Sequence, residues 1–139
     1  AGRALRRHGQ GGVRTRAHLQ QALADFGRDI GLPTLETGPD GSGQLRLESG
    51  ALLGVAQEGE AVVVHWAEPV RYDIAALLLR AMKQAGDARD AAQPVQVGLR
   101  SVPSGDWLVL ATRFAAEEAS ARRIREASEF LRQWVANLG

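Results

Sequence analysis

Three consecutive segments near the middle of the chain alternate in the manner of strands joined by tight turns. The segments are residues 44–49, 51–57 and 60–67. Ser49-Gly50 separates the first two, Glu58-Gly59 separates the last two, and both pairs are turns of hairpin type. Because so short a turn returns the chain alongside the strand it has just left, an antiparallel meander is predicted, and it is expected to end before Pro69.

Helices flank this meander, and a second hairpin follows it. The predicted elements are a helix from Thr15 to Ile30, the meander, a helix at about 73–85, strands at 94–100 and 106–113, and a helix at about 115–138. Gly31 is expected to stop the first helix, Asp73 to cap the second, and Glu117 and Glu118 to lie in the first turn of the last. The order α-β-β-β-α-β-β-α predicts an α+β fold with one antiparallel sheet.

The charge of the chain is unevenly distributed. Its 139 residues have a net charge of +1, yet residues 1–16 contain five arginines and no acid, while residues 17–139 carry 12 basic and 16 acidic side chains. The first segment also holds four glycines and no apolar periodicity, so it is predicted to be a flexible basic arm, followed by a single domain over residues 17–139. Such an arm can touch nucleic acid, but no aromatic side chain is interleaved with its arginines, so nucleic-acid binding is a minor alternative.

Composition excludes several classes of protein. The absence of cysteine excludes disulfide scaffolds and thiolate metal sites. A hydrophobic content of 45% is too high for a disordered chain. No apolar run has the length of a membrane span, and the first residues lack the apolar stretch of a signal peptide. These features fit a reducing compartment.

Few residues could support catalysis or bind a metal ion or cofactor. His8, His18 and His65 do not have the spacing of a helical metal site. Residues 38–43 are rich in glycine, but no Lys-Ser/Thr follows them, so they are predicted to be a connecting loop. The candidate serine nucleophiles are Ser42 and Ser104, and both lie in turns without a strand-to-helix elbow. The sequence therefore predicts a protein that is not an enzyme and has no metal and no cofactor.

Apolar side chains occur on both faces of the predicted sheet. A single sheet covered by helices on one side is expected to be apolar on that side only, so the second face is predicted to meet a partner. The candidate partner-binding residues are Val62, Val64, Trp66, Trp107, Leu108, Val109 and Leu110. Their alternation divides them between two faces, and which face forms the core is left open. The alternative is that helices cover both faces within one monomer.

The middle helix has an apolar stripe that is broad for a surface helix. Ile74, Leu77, Leu78 and Ala81 exceed what the core of one monomer should require. Since a two-fold interface uses the same patch twice, these residues are predicted to form the interface of a homodimer.

The end of the first helix resembles a segment of a known family. Its pattern is similar to the opening helix of class I type III secretion chaperones, on Leu23, Phe26, Gly27, Ile30, Gly31, Leu32 and Pro33. The order of elements, the length and the acidic body of the chain are also similar, over about residues 17–138. Within that family, the chaperone of a pseudomonad phospholipase-type toxin would suit the arginine-rich composition.

The resemblance implies a function for the chain. Members of this family act in the bacterial cytoplasm as homodimers that bind the N-terminal segment of one secreted effector protein, in extended form and without ATP. As the apolar runs and the histidine spacing indicate, no membrane and no metal partner is expected. A dimeric adaptor with another protein ligand is the second interpretation, and a nucleic-acid-binding domain using the arginine-rich arm is the third.

Overall fold

The predicted hairpins join into one antiparallel sheet. A computed structural model describes residues 19–31, 36–37, 42–71, 73–87 and 94–138. In chain order the elements are helix α1 (residues 19–29), strands β1 (Glu36–Thr37), β2 (Gly43–Arg46), β3 (Leu52–Glu58) and β4 (Ala61–Val70), helix α2 (Ile74–Asp87), strands β5 (Gln96–Val102) and β6 (Gly105–Ala115), a 3₁₀ helix (Ala116–Glu118) and helix α3 (Ala121–Ala136). The predicted fold class and order of elements are confirmed, with the two-residue β1 added.

The strands within the described residues lie in the order β1-β2-β3-β4-β6-β5, and every neighbouring pair is antiparallel. The long strands β4 and β6 form the centre, where Val64 lies opposite Val55 on one side and Thr112 on the other. Among the strands that the structure describes, β5 pairs with β6 alone, so it forms one edge of this sheet.

The three helices pack on one face of the sheet. Alternate residues of the central strands point into this layer, among them Val62 and Val64 of β4 and Leu110 of β6, which have no exposed surface. The helices contribute the other half of the core, with Leu23 from α1 and Leu131 from α3. The opposite face of the sheet carries no helix from the described part of the chain, and it becomes the site considered below.

Strand β4 continues beyond the predicted end. It runs through Pro69 to Val70, with Pro69 opposite Trp107. The expectation that the strand stops before Pro69 is therefore wrong. Beyond Ala67, β6 is the one described strand that pairs with β4, because the pairing with β3 ends at Leu52 and Ala67. In this edge-like position, the missing N–H group of proline is tolerated.

The last helix begins later than predicted. Strand β6 runs to Ala115, and the amide of Ala116 still donates to the carbonyl of Glu60 at 2.8 Å. Glu117 and Glu118 lie in the 3₁₀ helix and not in the first turn of α3. The N-cap of α3 is Ser120, whose hydroxyl accepts a hydrogen bond from the amide of Arg123 at 3.0 Å. Pairing with β4 outweighs the helical preference of this alanine- and glutamate-rich segment.

Other predicted boundaries agree with the structure. The amide of Ala76 donates to Asp73 Oδ1 at 3.2 Å, as expected of a cap for α2. Gly31 has a φ of 84° directly after α1, which is the left-handed conformation of a helix stop. The basic arm of residues 1–16, the start of the first helix at Thr15 and most of the predicted loop at 38–43 lie outside the described residues.

Candidate functional site

The helix-free face of the sheet contains a groove with a volume of about 550 Å³. The groove crosses β2, β3, β4, β6 and β5, and it ends at the turn between β5 and β6. Its lining residues are Gln44, Leu52, Gly54, His65, Ala67, Arg100, Val102, Ser104, Trp107 and Val109. A volume of this size is typical of ligand-binding pockets. We refer to these residues as the groove.

Small residues in the middle of the sheet create the depression. Gly54 lies opposite His65 in the pairing of β3 with β4. A Cβ atom placed on Gly54 would lie 3.9 Å from the carbonyl oxygen of Gly43 and from Cβ and Nδ1 of His65, so a methyl group would fit there in ordinary van der Waals contact. Ala67 is the next small residue on the same face of β4, and it lies opposite Leu52 and Val109. The floor of the groove is therefore formed by small residues, while its walls are apolar.

Trp107 and Arg100 form one end of the groove. They are directly opposite each other in the pairing of β5 with β6, so both side chains project from the same face. Trp107 is half-buried, and Arg100 is exposed. Among the ion pairs of the described residues, none involves Arg100. This end thus combines an aromatic surface with a guanidinium group that has no carboxylate partner there.

His65 is the other ionisable residue in the groove. Burial lowers the pKa of His65 below its ordinary value of 6.5, Glu58 raises it, and Arg113 lowers it further. Desolvation is the largest of these effects, so the imidazole is predominantly neutral at pH 7. None of the described residues that line the groove is a carboxylate. At neutral pH, the formal charge of the groove is therefore the charge of Arg100.

The structure divides the candidate partner-binding residues between the two faces of the sheet. Trp107 and Val109 lie in the groove. The others lie in the core beneath the helices, and they are Val62, Val64, Trp66, Leu108 and Leu110. Side chains buried there cannot contact a partner while the domain stays folded. The face that carries Leu108 and Leu110 is thus the core face, which the sequence left open. Partner binding stays a prediction for Trp107 and Val109.

Several groove residues were not among the candidates from the sequence. They include Gln44, Leu52, Gly54, Ala67 and Arg100. A signal for them existed, because each has the same alternation phase as Trp107 or is paired in register with a residue that does. A glycine inside a strand, such as Gly54, also indicates a place where another chain can approach the backbone.

A second apolar surface lies on α2 and β5, which pack against each other. Its exposed side chains are Leu79 (69%), Met82 (59%) and Leu99 (46%), and we call these three residues the α2 patch. The residues predicted for the dimer interface are less exposed than this patch. Ile74, Leu77 and Leu78 are half-buried, whereas Ala81 has no exposed surface and belongs to the core of the monomer. The assignment of Ala81 to a dimer interface is therefore corrected.

The described residues contain neither a candidate metal site nor a candidate membrane-spanning helix. No group of three or more His, Asp or Glu side chains there could hold a metal ion. None of the described helices has the length and apolar character required to cross a bilayer.

Solved structures with the same fold are found by structural comparison. No protein-family model matches the sequence, and no curated protein matches it. SchA, in its chaperone–effector complex with HopA1, has 16% sequence identity and a TM-score of 0.67, covering 90% of this chain and 95% of that chain. SycH, a type III secretion chaperone of Yersinia pestis solved in complex with a stable fragment of YscM2, has 13% identity and a TM-score of 0.58, covering 90% and 99%.

A third match comes from a protein with a different description. YbjN of E. coli, a protein proposed to regulate transcription, has 15% identity and a TM-score of 0.56, covering 81% of this chain and 85% of that chain. At these identities the likeness concerns the fold. The chain has the fold of the type III secretion chaperones.

Proposed function

We propose that this protein is a type III secretion chaperone, which binds the N-terminal segment of a secreted effector as a homodimer and keeps it ready for export. The observation that carries the proposal is the open apolar groove on the helix-free face, in a fold shared with SchA, whose structure contains an effector. Binding of this kind requires no ATP, and it would take place in the bacterial cytoplasm.

The shape of the groove suits an extended segment of protein. The groove is open to solvent and runs across several strands, and its apolar walls include Leu52, Trp107 and Val109. Exposed apolar surface of this kind is typical of interaction sites. Apolar walls of this kind can bind the side chains of a partner and need no catalytic group.

The edge of the sheet adds a second means of binding. In the described part of the sheet, strand β5 has a partner on one side only, and Arg100 and Val102 of this strand also line the groove. An extended segment that pairs with the outer edge of β5 would gain main-chain hydrogen bonds, and alternate side chains of that segment would point toward the groove. Main-chain pairing and side-chain selection would then occur together.

The α2 patch supports the homodimer. Leu79 and Met82 are one helical turn apart on α2, and more than half of each side chain is exposed. Apolar side chains of this size cost free energy in water unless a partner covers them. A second copy of the chain is the simplest partner, because an isologous interface places the same patch on both sides.

A dimeric protein-binding adaptor is the second candidate function. It is favoured by the match to YbjN, because this match associates the same fold with a protein that is not described as a secretion chaperone. The two functions differ in the fate of the bound protein, since the partner of an adaptor need not be exported.

One experiment separates the two functions. The tagged chain is purified from its host, the bound protein is identified by mass spectrometry, and secretion of that protein is then measured with and without the gene for this chain. A secretion chaperone is expected to retain one exported protein, and the export of this protein should fall strongly when the gene is deleted. Export that is unchanged in the deletion strain would contradict the proposal and favour an adaptor. Arg132→Met, an exposed substitution on α3, is the control that should retain the partner.

A further inference from the structure

We infer that the groove selects an acidic segment of its partner, in which an Asp or Glu side chain meets Arg100 and an apolar side chain two residues away lies against the apolar wall beside it. This inference rests on the proposed function, and it names the chemistry of the bound segment. The observation behind it is the pairing of an uncompensated cation with an aromatic wall at one end of an otherwise neutral groove.

The charges on this face favour an anionic partner. The described strands place three arginines on the helix-free face, which are Arg46, Arg100 and Arg113. By register Glu36 and Glu58 share this face, and Glu58 Oε2 already lies 3.9 Å from Arg113 Nη2. Arg100 has no such neighbour among the described ion pairs, and no carboxylate lines the groove. A basic segment would be repelled here, whereas an acidic one would supply the missing partner.

The spacing of the groove residues sets the pattern of the segment. Arg100 and Val102 are two residues apart on β5, so they point to the same face at a separation of roughly 7 Å. Trp107 lies opposite Arg100 on the neighbouring strand. A segment paired along the outer edge of β5 therefore meets Arg100 at one position and Val102 two positions later, with Trp107 beside Arg100 on the neighbouring strand. The matching pattern is an acidic and an apolar residue separated by one residue.

Other anionic ligands fit the groove less well. Single-stranded nucleic acids are bound by grooves that follow the backbone with successive cations, whereas this groove presents one formal charge at pH 7. Its walls at Leu52, Val102 and Val109 are aliphatic and suit side chains better than phosphates. A protein segment is therefore the occupant that the lining favours.

The test uses peptides of about ten residues, long enough to pair along the seven residues of β5 in extended form. A random peptide library displayed on phage is selected on the purified full chain, and the selected peptides are synthesised with a fluorescent label. Each is paired with a version in which its Asp or Glu is replaced by Asn or Gln. Fluorescence anisotropy then measures the binding of both versions to the wild type, to Arg100→Met and to the control Arg132→Met.

The expected results form a double-mutant cycle. Removing the peptide carboxylate should weaken binding to the wild type about fivefold, and Arg100→Met should weaken binding of the acidic peptide by the same factor. The two changes together should cost no more than either alone. Raising the salt concentration from roughly 0.05 to 0.5 M should weaken binding to the wild type and to Arg132→Met, but have little effect on Arg100→Met.

Three outcomes would overturn the inference. Selected peptides without an excess of Asp and Glu would do so, as would acidic peptides that bind wild type and Arg100→Met equally. Displacement of the peptides by ATP or by an oligothymidylate at micromolar concentration would assign the groove to another anion. Failure to select any peptide would instead contradict the proposed protein-binding function itself, so the two failures are distinguishable. The amide versions of the peptides keep the test valid even if Arg100→Met folds poorly.

Discussion

Val109 and Leu110 are consecutive residues of β6 that lie on opposite sides of the sheet. Val109 lines the groove, whereas Leu110 has no exposed surface and packs in the core beneath the helices. Val109 therefore belongs to the face that could contact a partner, and Leu110 belongs to the face that stabilises the domain. Because the two side chains are similar in size and polarity, they provide a matched pair for experiment.

Replacing each of these residues by aspartate should have opposite consequences. Val109→Asp places a charge at an accessible wall, so the free energy of unfolding should change by about 1 kcal/mol or less while partner binding is lost. Leu110→Asp buries an unpaired carboxylate, which should cost about 3–5 kcal/mol and unfold much of the population. Circular dichroism during urea unfolding and partner pull-down measure both effects. If both variants fold and both bind, the partner does not use the groove.

Filling the floor of the groove should reduce partner binding without loss of stability. A Cβ atom on Gly54 would meet ordinary van der Waals contacts at 3.9 Å, and the φ of Gly54 is not positive, so a β-branched residue is compatible with its strand conformation. Gly54→Val should leave the free energy of unfolding unchanged or raise it by about 0.5 kcal/mol, while partner affinity falls about tenfold. Gly54→Ala, which fills less of the space, is the control and should reduce affinity less. Equal affinities for all three proteins would show that the floor is not occupied by the partner.

The alternation of side chains was sufficient to predict the sheet but not its buried face. Trp107 and Val109 are as apolar as Leu108 and Leu110, so the sequence of β6 alone gives no preference. Which face is buried depends on the side of the sheet on which the three described helices pack. That side is set by contacts between residues far apart in the sequence. Charged residues do not decide it either, because Arg113 shares the alternation phase of Trp107 while Asp106 shares that of Leu108 and Leu110.

The dimer interface stays a prediction, and its candidate residues change for a related reason. The apolar stripe of the middle helix was visible in the sequence, but half of such a stripe is needed for the helix to pack on its own sheet. Ala81 is used in this way, whereas Leu79 and Met82 remain exposed. Helical periodicity identifies the stripe, and only the position of the sheet shows which of its edges stays uncovered.

Charged substitutions in the α2 patch should convert the proposed dimer into a monomer. Leu79 and Met82 are 69% and 59% exposed within one copy of the chain, so Leu79→Asp and Met82→Asp should change the free energy of unfolding of the monomer little. If a second copy covers these side chains, each variant should have half the wild-type mass in light scattering at micromolar concentration. Lys83→Asp, at an exposed neighbouring position, is a control for added negative charge. A monomeric wild type under these conditions would contradict the homodimer.

Acidification should destabilise the domain through His65. Burial lowers the pKa of its imidazole below the ordinary value of 6.5, so the unfolded chain binds a proton more readily than the folded one. The contribution to stability is therefore complete above pH 6.5 and is lost as the pH falls through the folded pKa. The groups that act on this titration are Glu58 on β3, which opposes the shift, and Arg113 on β6, which adds to it, with Arg100 of β5 lining the same groove.

His65→Gln isolates this contribution. Glutamine retains hydrogen-bonding capacity at the same position on β4 but does not titrate. Urea unfolding monitored by circular dichroism between about pH 7.5 and 5 should give a steeper fall in the free energy of unfolding for the wild type than for His65→Gln. Glu58→Gln should steepen the wild-type fall, because it removes the charge that favours the imidazolium. Identical pH dependence in the wild type and His65→Gln would show that the imidazole is not desolvated in the folded protein, and the groove would then be more hydrated at its centre than the packing around Gly54 and His65 indicates.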